Sequence, residues 1–390
     1  IGIDFFSPNN SDVSIAGNQV GVRTSNFFEN QFVGIDFTGE VTHNNRVSII
    51  KNLIGDTSIQ VSTNNSAIWL NGGASGKSET SFGIRVTEPN DYVMINNNAV
   101  GGVYSKSSGR EVPFIPILAS GARDSLSVTG NTVGNPKWNN LWFENHSEFE
   151  YLMYLDLADG LKKVSVNNNV LSGVKYSATA SDTRVYGIRA TRGTAIDNLW
   201  MENNTVSNID LLGTGDKQFT GLFTGNGNSH LIGNEIKNIE VKSSKSGDQF
   251  WGIYVNEGNS THEIRSNKIH DINLTQNQNA DNNAIGIFFV GTASSFNISG
   301  NIISKINLGV SDSSALFRGI LVTSCKTANI NNNVILHNPG TQVSSQQAYG
   351  IYDFAKTGDI FIYHNTVDIK LDFASASRGR TACYYKNNDA

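Results

Sequence analysis

Aligned on a repeating unit of about 33 residues, twelve positions of the chain fall into one column: Asp4, Asp36, Arg85, Leu118, Asp156, Arg189, Phe223, Tyr254, Phe288, Leu321, Tyr352 and Tyr384. Its two halves would do different chemistry. Asp156 and Arg189 fall on successive units, which at strand spacing brings them within about 5 Å, as an ion pair or as an acid beside a cation. Asp4 and Asp36 stand in the same relation, at roughly the 5 Å separation of the two carboxyl groups of a retaining glycosidase. The second half is aromatic or apolar. Phe223, Tyr254, Phe288 and Tyr352 offer flat rings of the kind that stack on sugars. Successive units stand about 4.8 Å apart, close to the length of one sugar residue, so a glycan would lie along the column. The competing expectation is that loops fold over this face and turn the column into a second small core. Phe219, Phe250, Trp251, Phe317 and Tyr349 immediately precede the same segments and would join it.

A second column, Asp182, Asp216, Asp248, Asp281 and Asp312, recurs every 31 to 34 residues in polar loops. Stacked carboxylates repel unless a cation or hydrogen-bond donors intervene, so Asp216, Asp248 and Asp281 would be the ligands of a bound Ca²⁺. The simpler expectation is that each Asp closes a local turn on its own backbone and that no cofactor is held. The tight Gly/Asp nonapeptides of dedicated calcium solenoids are missing. The seven His show neither a zinc spacing nor a column. No GxSxG, phosphate-binding or dinucleotide fingerprint occurs in a strand-to-helix context.

The elements that must position these columns follow from the repeat. Asn18, Asn52, Asn98, Asn131, Asn169, Asn204, Asn234, Asn267, Asn301, Asn333 and Asn365 recur at spacings of 30 to 38 residues, with one of 46. Their contexts include GNTVG, NNTVS, GNEIK and SNKIH. Between them apolar and polar residues alternate over four to six positions, the strand period and not the helical one. A self-similar period of this length is the mark of a solenoid. Asn tolerates left-handed backbone and can turn the chain, and stacked amides can bond from coil to coil. In segments such as GIYV (252–255) and GIFF (286–289) the second and fourth residues point inward and the third outward. Residues 56–81 and 134–151 interrupt the rhythm as insertions, and Trp138, Trp142 and Phe143 in the second are expected to pack rather than face solvent.

Three short strands per coil with Asn/Gly turns resemble the right-handed parallel β-helix, the architecture of pectate-lyase-like proteins, of surface adhesins and of phage spikes. The resemblance covers about residues 1–386. It implies an all-β solenoid of about eleven to twelve coils in one domain spanning 1–390, with an Asn ladder and loops stacked on one side. For a uronate lyase it would imply a basic residue as base, and Arg189 and Arg192 in GIRATRG are the best placed. The chain departs from the enzymes of this type. It has no three acidic residues at successive outward positions, and it lacks the paired-Asp, His-Gly and Arg-x-Lys set of polygalacturonase-like hydrolases.

Composition bounds the partners. Charged residues make up 16% and the formal net charge is −5, with no basic patch for nucleic acid. No run of 18 apolar residues would span a membrane. Cys325 and Cys383 should lie two coils apart, about 10 Å, and stay unpaired. The chain opens Ile1-Gly2-Ile3 without Met and neither end shows a capping helix, from which we expect a piece of a longer protein, with further repeats or other subunits against its ends. The expectation is therefore an extracellular or cell-surface binding or structural module, an adhesin or appendage segment contacting polysaccharide along the aromatic column. The alternative is a polysaccharide lyase or glycoside hydrolase acting beside it.

Overall fold

The structure is a computed structural model of the 390-residue chain and describes all residues except 1, 8–11, 22–31, 40–45, 63–64, 73–79, 88–89, 108–113, 138, 147, 159, 179–181, 193–197, 226, 244–246, 257, 275–281, 310–314, 339–341, 344–345, 374–378 and 388–390. The described residues form a parallel β-solenoid without helix. The coils stack their strands into three long parallel sheets, of 12, 11 and 14 strands, the third taking two strands from some coils, and strands pair with their counterparts in the neighbouring coils. One representative coil runs through Gln249–Asn256 in the first sheet, Thr261–Arg265 in the second and Lys268–Leu274 in the third. Inward residues such as Ile253, Val255, Ile264, Ile269 and Ile272 join one continuous core along the coils. Each such side chain withdrawn from water contributes about 1.5–3 kcal/mol.

Between the second and third sheets the turn and the ladder are the work of two adjacent residues. The expectation that the repeated Asn itself adopts the left-handed conformation is corrected. Positive φ belongs to the residue before it, as at Asn203 (54°), Ser266 (56°) and Asn332 (54°). The Asn that follows turns its amide inward. Asn267 Nδ2 donates to Asn301 Oδ1 (2.9 Å) and to the Leu231 carbonyl (2.7 Å), while its Oδ1 accepts from the backbone and side-chain N–H groups of Asn234 (both 2.9 Å). This pattern links Asn18 to Asn365 without a break, at 2.9–3.0 Å per amide-to-amide step. Buried amides are thereby satisfied within the fold, as they must be.

The third sheet bends. In most coils a single left-handed residue, such as Gly173, Asn208, Asn238, Asp271 or Lys305, divides its strand into two arms that each stay in register with their neighbours. The two insertions sit at this bend. In place of the single residue, 56–67 and 135–140 separate Leu53–Gly55 from Ile68–Gly72 and Thr132–Gly134 from Leu141–Glu144. The second arms so displaced still pair with Val103–Ser107 between them. The inserted loops are tied together, with Val61 N donating to the Asn139 carbonyl (2.9 Å) and Asn140 Nδ2 to the carbonyls of Asp56 (2.9 Å) and Ile59 (2.7 Å). Phe143 is fully buried, stacked on Tyr176 at 4.7 Å, whereas Trp142 faces outward and is half-buried. Trp138 lies outside the described residues. Cys325 is buried and Cys383 exposed, both free.

Candidate functional site

On the first sheet a glycine opens most segments because the coils approach there too closely for a side chain. A Cβ at Gly252 would meet the Gly286 carbonyl oxygen at 2.5 Å and Ile269 Cδ1 at 2.7 Å. This interrupts the alternation, so the residue before the glycine and the second residue after it both face outward. Trp251 and Tyr254 are such a pair, with ring centroids 4.9 Å apart, and so are Tyr349 and Tyr352 at 5.0 Å. The outer face of the sheet consequently carries two parallel columns, not one. Phe250, Phe219 and Phe317, expected beside the column, point into the core instead and are fully buried.

The main column runs Tyr154, Arg189, Phe223, Tyr254, Phe288, Leu321, Tyr352, Tyr385 on successive rungs. Phe223 meets Tyr254 edge-on at 5.0 Å, and Tyr254 stacks on Phe288 at 4.7 Å. Apart from buried Leu321, these side chains are half-buried, packed against one another and still in part open to solvent. Burial, followed by the neighbouring Tyr186, raises the pKa of the Tyr254 hydroxyl above its ordinary value, which keeps it a donor. At the other end of the main column the Arg189 guanidinium lies 5.0–5.7 Å from the ring centroids of Tyr186, Tyr151, Phe223 and Tyr154, and its Nη1 donates to the Tyr151 hydroxyl (2.7 Å).

Two members of the expected column are displaced. Asp156 is in register with Ser120 and Thr191, two residues beyond the place that Tyr154 takes, so it is not the rung neighbour of Arg189. The column ends in Tyr385, while Tyr384 pairs with Ile351 and donates to Asp353 Oδ2 (3.0 Å). Asp4 and Asp36 do face each other in register, but Asp36 is held by Arg85, whose Nε donates to Oδ1 at 2.8 Å and whose Nη2 meets Oδ2. Arg192 closes the strand Thr183–Arg192, and its side chain lies outside the described residues.

In the loop column two of the carboxylates, those of Asp182 and Asp248, accept backbone N–H groups of other residues. Asp182 Oδ1 accepts from Asp216 N (3.1 Å), and buried Asp248 accepts from Lys217 N (3.0 Å) and Ser243 N (3.2 Å). Those oxygens are turned toward N–H donors and not toward a cation, whereas Asp216 Oδ1 is buried with no hydrogen-bond partner among the described residues. Asp281 and Asp312 lie outside the described residues. Among the described residues no cluster of three or more His, Cys, Asp or Glu could hold a metal.

A second outward ladder was missed at the level of sequence. Along the second arms of the third sheet, Trp69, Tyr104, Trp142, Lys175, Asp210, Glu240, Asn273 and Asn307 occupy successive rungs. Tyr104 meets Trp142 edge-on at 5.2 Å, and Lys175 Nζ lies 4.3 Å from the Trp142 ring centroid. Asp210 and Glu240 line a groove of about 540 Å³ in the angle between the two arms, with Lys137 of the inserted loop and Lys305 of the bend also in its wall. Burial, then the Glu240 charge, push the Asp210 carboxyl above the usual carboxylate range, with Lys175 opposing. The readable signal was an apolar residue at the second, fifth and seventh positions after the ladder Asn from Asn169 to Asn301, as in Val206, Ile209 and Leu211 or Ile236, Ile239 and Val241. The outward sixth position is Asp210 or Glu240.

No protein-family model matches the chain, and neither the curated proteins nor the solved structures contain a match to it. Among the described residues no helix is long and apolar enough to cross a membrane.

Proposed function

We propose that the protein is a polysaccharide-binding β-solenoid of the extracellular space or cell surface, which holds an extended glycan along the double aromatic column of its first sheet. One observation carries this reading: Phe223, Tyr254 and Phe288 stand on three consecutive rungs in ring-to-ring contact, flanked by Trp251. Rungs repeat at about 4.8 Å, so a chain of sugars can run parallel to the axis with one ring per platform. Aromatic faces supply apolar area at little entropic cost, and the Tyr and Trp edges supply hydrogen bonds. The test is binding to a polysaccharide panel by the wild type and by a Tyr254→Ala, Phe288→Ala, Tyr352→Ala variant. Unchanged binding by the variant removes the column from consideration.

A second reading, glycoside hydrolysis, is favoured by a separate observation. Asp210 and Glu240 are carboxylates on adjacent rungs inside a groove, and burial together with the Glu240 charge holds the proton on Asp210 to higher pH than an ordinary carboxyl. In that reading Asp210 is the acid and Glu240 the charged partner. Reducing-end release from neutral and acidic polysaccharides, lost in Asp210→Asn and in Glu240→Gln, would support it. No release by the wild type would dismiss it.

A further inference from the structure

From the strand Glu148–Leu157 to the strand Arg380–Lys386, the two outward columns of the first sheet hold no carboxylate and two arginines, in a chain whose net charge is −5. Arg189 stands in the main column and Arg318 in the flanking one, four coils further on. Both are half-buried. Arg189 is boxed by four rings and, among the described residues, donates only to a tyrosine hydroxyl. Arg318 lies over the Tyr352 ring at 4.9 Å and donates Nη1 to Asn283 Oδ1 (3.1 Å). Neither guanidinium makes an ion pair with a described residue, and the Nε of each is buried without a partner. Asp156, the carboxylate nearest along the strand, is exposed and sits beside Thr191 on the next rung.

A guanidinium stays charged at any working pH, and buried charges are normally paired. Here aromatic rings hold the two cations in place without neutralising them. Desolvation acts on Arg318 strongly enough to lower its pKa, with only tyrosines opposing. Such a fork, fixed over a ring and without an anion among the described residues, is the geometry that recognises a carboxylate or a sulfate in two-point fashion.

We propose that the first-sheet strip is specific for an anionic polysaccharide, one carrying carboxylate or sulfate groups, and that Arg189 and Arg318 are the residues that receive its charges. The inference rests on the reading of this face as a glycan platform and narrows its ligand class. The two arginines lie four rungs apart, about 19 Å along the axis, so they engage substituents about four sugars apart on one extended chain. The rings between them carry the sugar bodies. Neutral glycans would leave both guanidinium groups without a counter-charge and bind less well.

The test uses the full chain in affinity electrophoresis and calorimetry. The probes are alginate and polygalacturonate for carboxylates, dextran sulfate and chondroitin sulfate for sulfates, and dextran and carboxyl-reduced alginate as neutral polymers. An acidic polymer is expected to bind, with affinity falling as salt rises, and comparison of the two acidic arms identifies the anion. Arg189→Gln and Arg318→Gln should each weaken binding about tenfold and flatten the salt dependence, with urea midpoints close to wild type. Arg189→Lys, which keeps the charge and loses the fork, should fall between. Equal affinity for alginate and its carboxyl-reduced form overturns the inference, as does wild-type affinity for acidic polymers in the folded double Gln variant. In either case the platform reading survives if the Tyr254→Ala, Phe288→Ala variant abolishes binding. If no polymer binds at all, both readings fall.

Discussion

Tyr254 and Phe288 lie face to face, ring centroids 4.7 Å apart and planes 7° from parallel, on rungs paired in parallel register. The spacing of the rings is set by the spacing of the strands. The solenoid therefore builds a stack whose pitch does not depend on the bound partner, and the stack stabilises the coils that carry it.

A double-mutant cycle measures that coupling. Tyr254→Ala and Phe288→Ala each remove one ring, and the pair is expected to show a coupling energy of about 1 kcal/mol in urea unfolding. Phe288→Ala paired with Tyr352→Ala serves as the control, since buried Leu321 occupies the rung between them. Coupling near zero for the stacked pair would mean that the rings touch without stabilising one another.

The Asn ladder should be sensitive to position. Asn267 is fully buried and takes part in four side-chain hydrogen bonds. Asn267→Ala leaves the Asn234 backbone and amide N–H groups and the Leu231 carbonyl without those partners, so a loss of roughly 3–5 kcal/mol is expected. Asn18 is partly exposed, and water can replace its bonds. Asn18→Ala should cost about 1 kcal/mol or less. Equal denaturation midpoints for the two variants would contradict the ladder's role in stability.

How far the sequence could be read depended on whether a register error changed the face of a strand. The ladder and the inward Ile and Val residues follow from a period that any one-residue slip would break. Asp156 was misplaced because a slip of two leaves every side chain on its own face. The coil around it has Leu152 where its neighbour has Gly187, and the run LMYLDL alternates equally well in either frame. At Tyr384 the marker was lost when Cys383 took the place of Gly350, and the slip was of one. The groove at Asp210 and Glu240 was hidden for another reason. A single left-handed residue such as Asn208 resets the alternation mid-strand, so two arms of one sheet look like a strand followed by a polar loop. The two arginines of the strip were visible as residues, but that no described residue supplies them a counter-charge depends on three-dimensional neighbours.

The glycine column makes a sharp contrast testable. A Cβ at Gly286 would meet the Gly319 carbonyl oxygen at 2.6 Å and Ile303 Cδ1 at 2.7 Å. Backbone on one side and a packed core on the other leave it nowhere to go, so Gly286→Ala should destabilise by about 2 kcal/mol or more. Gly258 has nothing within 4 Å of a Cβ and no positive φ. Gly258→Ala should be neutral or slightly stabilising. Thermal and urea unfolding of both variants would decide, and a tolerated Gly286→Ala would show that the coils can separate locally.

Two core histidines set a limit on stability in acid. His262 bonds Ser229 Oγ at 2.8 Å and stacks near Phe296, and His337 bonds Gln346 at 2.7 Å and stacks on Phe317 at 4.1 Å. Burial pushes the pKa of each down to about 4 from the ordinary 6.5. Because the folded value is the lower one, the unfolded chain takes up protons first as pH falls. The native state is therefore at full advantage above pH 6.5 and loses it progressively down to pH 4. Each histidine should remove roughly 2–3 kcal/mol between pH 7 and pH 4.5. Urea unfolding across that range is expected to show this slope in the wild type and a flatter one in His262→Gln, His337→Gln, even if the variant starts less stable at pH 7. Identical slopes would assign the acid sensitivity of that range to other groups, and not to the ion-paired carboxylates Asp271 and Glu235, which act below it. The His270 hydrogen bond chiefly lowers the pKa of Asp271, while burial raises that of Glu235 but Lys237 and His270 together bring it below its ordinary value, and both groups lose charge at still lower pH.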